Sequence, residues 1–125
     1  MNLEELYQKI GGDYSRAIKV LRIEKLLDKH IRKLPANQIF AALDQAGKDM
    51  DATALFENAH AMKGITANLG LVHICDLASV ISEEFRPGNP RTMSDDEVRR
   101  IIGDINTQFQ NAVTAIAEYT SSQDS

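Results

Sequence analysis

The sequence predicts an all-α protein: an antiparallel four-helix bundle, up-down-up-down, with short extra helices at its N-terminal end. Three observations carry that reading. Apolar residues recur at i, i+3, i+4 and i+7 over most of the 125 residues. No stretch alternates apolar and polar residues for the length of a strand. Tight, breaker-containing loops separate the periodic runs, as antiparallel neighbours require. The expected content is more than about 65% helix with no sheet.

Residues 3–10 make a short amphipathic turn or two before Gly11-Gly12. Leu26, Leu27, Ile31 and Leu34 line a helix that ends near Pro35, because proline removes a backbone donor. Ile39, Phe40, Leu43 and Ala46 line the next, which stops near Gly47. Leu55, Ala59, Met62, Thr66 and Leu69 form a longer stripe, starting at Asp49 or Asp51 and ending at Gly70. Leu71, Ile74, Leu77, Ala78, Ile81 and Phe85 follow, stopping at Arg86 before Pro87-Gly88-Asn89-Pro90. Residues 51–69 and 71–86 should thus form a hairpin turning at Gly70. The last stripe, Val98, Ile101, Ile102, Ile105, Phe109, Ala112, Val113 and Ile116, lasts five turns; Ser94 and Glu97 read as its capping box. Residues 1–120 are expected to form one domain, with 121–125 a frayed tail.

Composition removes several function classes. With 43% hydrophobic and 26% charged residues the chain is globular in type. Lys and Arg number 14 against 18 Asp and Glu, a net charge of −4, which gives no basic footprint for nucleic acid or a membrane surface. Apolar runs are too short to span a bilayer, and the MNLEELYQKI start lacks the signal-peptide pattern, so the expected compartment is the cytoplasm. A single cysteine, Cys75, excludes an internal disulfide and a multi-cysteine metal site, and reads as a small core residue. There is no nucleotide-binding glycine motif, no G-x-S-x-G and no H-E-x-x-H. His30, His60 and His73 form no i, i+4 pair, so no metal site is expected.

The informative segment is DATALFENAHAMKGITANLGL, residues 51–71. At about 100° per residue, Leu55, Met62, Ile65 and Leu69 fall within about 40° of the pole opposite His60. His60 therefore faces away from the core, together with Phe56, Lys63, Gly64 and Ala67. A lone outward histidine means little, but its neighbours are unusual. Gly64 in mid-helix costs roughly 1 kcal/mol against alanine, and on the outer face it leaves clearance beside the imidazole. Packing of Gly64 against another helix would instead require it to face inward. Lys63 sets an ammonium one turn away, where it attracts an anion carried by His60; alone it would be a solvated surface lysine. Phe56 either marks a binding surface or tucks sideways under a neighbouring helix.

HAMKGITANLGL resembles the signature of the histidine-containing phosphotransfer (HPt) family. There, a histidine is followed by Lys-Gly at +3 and +4 and Asn-Leu-Gly at +8 to +10; here these are His60, Lys63, Gly64, Asn68, Leu69 and Gly70. The resemblance extends to Gly12-Asp13, Phe56 and the helix–loop–helix spacing around Arg86, and so covers nearly the whole chain. It implies a phosphocarrier in a His–Asp relay. His60 would accept a phosphoryl group from the aspartyl phosphate of a receiver domain and pass it to another receiver. An exposed imidazole, with its reference pKa of about 6.5, is mostly neutral near pH 7 and can attack phosphorus. The resemblance further implies a phosphotransfer intermediate rather than a kinase, a monomer with no cofactor of its own, and Mg²⁺ supplied by the receiver. Receiver domains and a hybrid histidine kinase would be its partners.

Three departures stand out. Met62 replaces a common leucine, Glu57 would repel a phosphoryl dianion, and Ser82, with Glu83 beside it, holds a position where many members carry Glu. Two alternatives stay open: a helical adaptor that binds a receiver without phosphorylation, and the phosphorylatable domain of a larger histidine kinase. The latter would want a catalytic domain or linker, and none follows in these residues.

Overall fold

A computed structural model describes residues 1–124. The fold is 81% helical, with no strand among the described residues. In chain order the helices are α1 (Leu3–Ile10), α2 (Tyr14–Leu21), α3 (Glu24–Lys33), α4 (Ile39–Asp49), α5 (Ala52–Asn68), α6 (Val72–Glu84) and α7 (Asp95–Asp124). A single 3₁₀ turn, Leu34–Ala36, follows α3.

Caps set most of the helix starts. Asn2 accepts from Glu5 N at 2.8 Å while Asn2 N donates to Glu5 Oε1, a full capping box for α1. Asp13 caps α2 through Arg16 N, and Asp51 caps α5 through Ala54 N. At α7 Ser94 Oγ accepts from Glu97 N at 3.1 Å, the forward half of the capping box expected there.

Helices α4 to α7 form the bundle: α5 packs on α4 and α6, and α7 closes the ring against α6 and α4. Leu55, Met62, Ile81 and Ile105 are fully buried between them. The Phe40 and Phe109 rings stack 3.9 Å apart at 8°, joining α4 to α7. Around this ring α1 packs on α7, α2 on α5 and α3, and α3 with the 3₁₀ turn on α7.

The N-terminal helices grip the α5–α6 turn. Gly70 adopts φ +67°, a region that favours glycine, and its carbonyl accepts from Asp13 N at 2.7 Å. A Cβ at Gly70 would lie 2.3 Å from Asp13 O, so the close approach also demands glycine.

Four details differ from the sequence reading. Helix α2 is absent from the sequence reading, although Tyr14, Ile18 and Leu21 repeat at helical spacing after the Asp13 cap. Helix α4 passes through Gly47 and ends at Asp49; Gly47 is buried, and a Cβ there would meet Ile102 Cδ1 at 2.6 Å. That glycine admits α7 rather than stopping α4. Leu26 is exposed, because α3 turns Leu27 and Ile31 inward instead. Finally, α7 stays helical through Asp124, which Arg32 contacts at 3.2 Å, where a frayed tail was expected from residue 121; Ser125 lies outside the described residues.

Candidate functional site

Helix α5 has two unlike faces. Leu55, Ala59, Met62 and Thr66 are fully buried, and Leu69 beyond the helix end nearly so. Thr66 satisfies its buried hydroxyl by donating to Met62 O at 2.8 Å. Ile65 is only half-buried, and borders a cleft of about 310 Å³ with Leu21, Leu34 and Leu69. The opposite face carries exposed His60, Gly64 and Glu57, with Phe56, Lys63 and Ala67 half-buried at its edge.

The His60 side chain makes no hydrogen bond or ion pair among the described residues. Its ring stacks on Phe56, with centroids 5.6 Å apart and planes 21° from parallel. Phe56 in turn lies beside the Arg86 guanidinium, whose Cζ is 5.8 Å from the phenyl centroid. Of the two readings the sequence allowed, the sideways one is seen in the fold. Phe56 reaches sideways to the end of α6, and it keeps one part of its ring in the surface beside the imidazole.

The Arg86 side chain is held by Glu83, with Nε at 3.1 Å and Nη2 at 2.7 Å from the same carboxylate oxygen, Oε1. Asn89 folds the following loop back, donating through its side chain to Glu83 O and through its backbone to Arg86 O. The Arg86 hydrogen bond, then its charge, and more weakly the Lys63 charge hold the Glu83 carboxyl below the usual carboxylate range, against a smaller cost of desolvation. Lys63 thus belongs to the same electrostatic group. Its backbone carbonyl accepts from Thr66 Oγ1 and, at 3.6 Å, from Cys75 Sγ. Cys75 is half-buried, with its thiol donating to that carbonyl.

Gly64 stands in open space: a Cβ there would meet nothing within 4 Å. Internal packing does not explain this glycine, as the wheel had indicated. His60 also lines neither the cleft at Ile65 nor the one of about 520 Å³ between Val80 and Met93. The imidazole is offered on a convex helix face, which suits a large partner better than an enclosed small substrate.

The other histidines are elsewhere. His30 edges the cleft near Lys33, and His73 lies against Gly11. No group of three or more His, Cys, Asp or Glu among the described residues could hold a metal ion. No described helix is long and apolar enough to cross a membrane. The structure brings Phe56, His60, Lys63, Gly64 and Ala67 onto one strip. It adds the Glu83–Arg86 pair, two residues that the sequence singles out without bringing them to the imidazole. At Ser82 the hydroxyl is buried without a partner, and the neighbouring Glu84 is the buried carboxylate of α6.

Searches of curated protein sequences and of solved structures gave no significant match. The family model described as Hpt domain matches residues 22–119, most of the chain and the whole of α3 to α6. Hpt domains take part in phosphotransfer in His–Asp phosphorelays, with receiver domains and histidine kinases as partners. An all-helical bundle with an unpaired histidine on its surface agrees with that match, and the chain belongs to the Hpt domain family.

Proposed function

We propose that this chain is a phosphocarrier: His60 accepts a phosphoryl group from a receiver aspartate and passes it to another receiver. The observation that carries the reading is an exposed, unpaired imidazole with open space at Gly64 one turn on and a lysine, Lys63, at its side. The unprotonated ring nitrogen attacks phosphorus in line, forming an N–P bond. The acyl P–O bond breaks, and its electron pair leaves with the aspartate carboxylate. The return step is the reverse on a second receiver.

Such transfer needs positioning and charge stabilisation more than covalent chemistry from the carrier. Lys63 supplies positive charge beside the transferring group, and Mg²⁺ comes with the receiver. Gly64 and Ala67 keep the strip low, so that the receiver's acidic site can close over the imidazole, and Phe56 supports the ring from behind. The protein works as a monomer in the cytoplasm between receiver domains, with a hybrid histidine kinase as a further partner.

The test is incubation with a phosphorylated receiver. Labelling should appear on the wild type and vanish in His60→Gln, whose circular dichroism should be unchanged. The adduct should be acid-labile and comparatively base-stable. A receiver that binds both proteins alike and labels neither would favour an adaptor instead.

A further inference from the structure

We propose that Glu83 is the resting counter-ion of Arg86, and that phosphorylation of His60 draws the guanidinium from Glu83 onto the phosphoryl oxygens. This rests on the carrier reading above. Arg86 and His60 are neighbours of one ring, Phe56, at 5.8 Å and 5.6 Å from its centroid. The arginine side chain is long, exposed over 42% of its surface, and hydrogen-bonded to a single residue.

That tether is built to yield. Nε and Nη2 of the guanidinium converge on one oxygen of Glu83, so the forked two-oxygen geometry that makes arginine–carboxylate pairs strong is missing. The pair is also solvent-exposed, at 42% and 58%, where ion pairs contribute little. A phosphoryl group on His60 offers up to two negative charges and three acceptor oxygens, which a planar guanidinium meets bidentately. Removal of the phosphoryl group leaves Glu83 as the nearest anion, and the pair re-forms. Glu83 is then a positioning residue that acts through Arg86. The charged groups placed around the imidazole are Glu57 and Lys63 on α5, with Glu83 and Arg86 from the end of α6.

The experiment uses the full chain with His30→Gln and His73→Gln, leaving His60 as the one histidine, phosphorylated with potassium phosphoramidate. Two signals are followed: the Arg86 Nε–H resonance, and the ³¹P titration midpoint of the phosphohistidine. On phosphorylation the Arg86 resonance should shift. Arg86→Gln should raise the ³¹P midpoint by about 0.5 to 1 unit, and Glu83→Gln should lower it, because a freed cation stabilises the dianion. In the Glu83→Gln, Arg86→Gln double variant the midpoint should equal that of Arg86→Gln alone. Additive effects would mean that Glu83 simply repels the phosphoryl group, and an unmoved midpoint in Arg86→Gln would mean no contact; either overturns the exchange and leaves the carrier intact. Failure of His60 to take the label at all would overturn both.

Discussion

The hydroxyl of Tyr7 donates to the backbone carbonyl of Leu69 at 2.6 Å, across 62 positions of sequence. It ties α1 to the turn that ends the His60 helix, next to the Asp13–Gly70 bond made by the start of α2. Residues before 22 lie outside the family match, yet two of their hydrogen bonds fix its central hairpin. Burial pushes the Tyr7 phenol well above its ordinary range, with Tyr14 adding to it, so Tyr7 remains a donor throughout neutral pH.

Tyr7→Phe keeps the buried ring and removes only this donor. The Leu69 carbonyl would lose a partner in a dry place, so unfolding free energy should drop by about 1–2 kcal/mol. Urea denaturation measures it, while chemical phosphorylation of His60 should be unaffected. A variant as stable as the wild type would show that the bond is replaced by water.

Gly64→Gln separates stability from docking. With no atom within 4 Å of the added Cβ, the substitution meets no clash, and helix propensity gains up to about 1 kcal/mol. Melting temperature should hold or rise while receiver affinity and transfer fall. Lys63→Ala should leave docking largely intact and slow transfer, since its charge matters most when the phosphoryl group is present. Unchanged receiver affinity in Gly64→Gln would remove the docking role of this strip.

Glu84 should control the acid limb of stability. Its side chain is 4% exposed and accepts from Thr92 N at 2.8 Å, Met93 N at 2.8 Å, Thr92 Oγ1 at 2.7 Å and Arg91 Nε at 3.1 Å. Burial opposes ionisation, but the bonds from Met93, Thr92 and Arg91 outweigh it and push the pKa down to about 2. The folded value lies below the unfolded one. Its stabilisation is therefore complete above about pH 4.5 and disappears as pH falls toward 2. Glu84→Gln should cost about 2–3 kcal/mol at pH 7 and much less at pH 2, read by denaturation at both. An equal loss at the two pH values would assign the effect to shape rather than charge.

The legible parts were those written in local spacing. The stripe Leu55, Ala59, Met62, Thr66, Leu69 placed the inner face of α5, and the same wheel put His60, Gly64 and Phe56 outside. Leu26 is exposed and Ile65 packs on the core only half-buried, because a wheel gives direction but not how fully a neighbouring helix covers it. Gly47 looked like a terminator because glycine is a poor helix former; its reason is Ile102, more than a heptad into another helix and invisible to local pattern. Arg86 and Glu83 joined the site only through tertiary approach to Phe56. Glu84 was hidden for the same reason: its donors come from a loop whose fold no periodicity encodes.

Helix α7 has 30 residues, about 45 Å of axis, and touches α1, α3, the 3₁₀ turn, α4 and α6. Lys9 on α1 pairs with Glu118 near its far end, a separation of 109 positions. The first helix therefore lacks much of its docking surface until the last one exists, although α2 and the Leu69 carbonyl are made earlier. During synthesis the face of α1 that meets α7 must wait, uncovered, while everything between is made. Closing so long a loop adds only a logarithmic entropy cost, so the delay is one of order rather than of stability. Once α7 is in place, both ends of the chain settle in the same step, and amide exchange along α7 should report opening of the entire molecule rather than of any one helix.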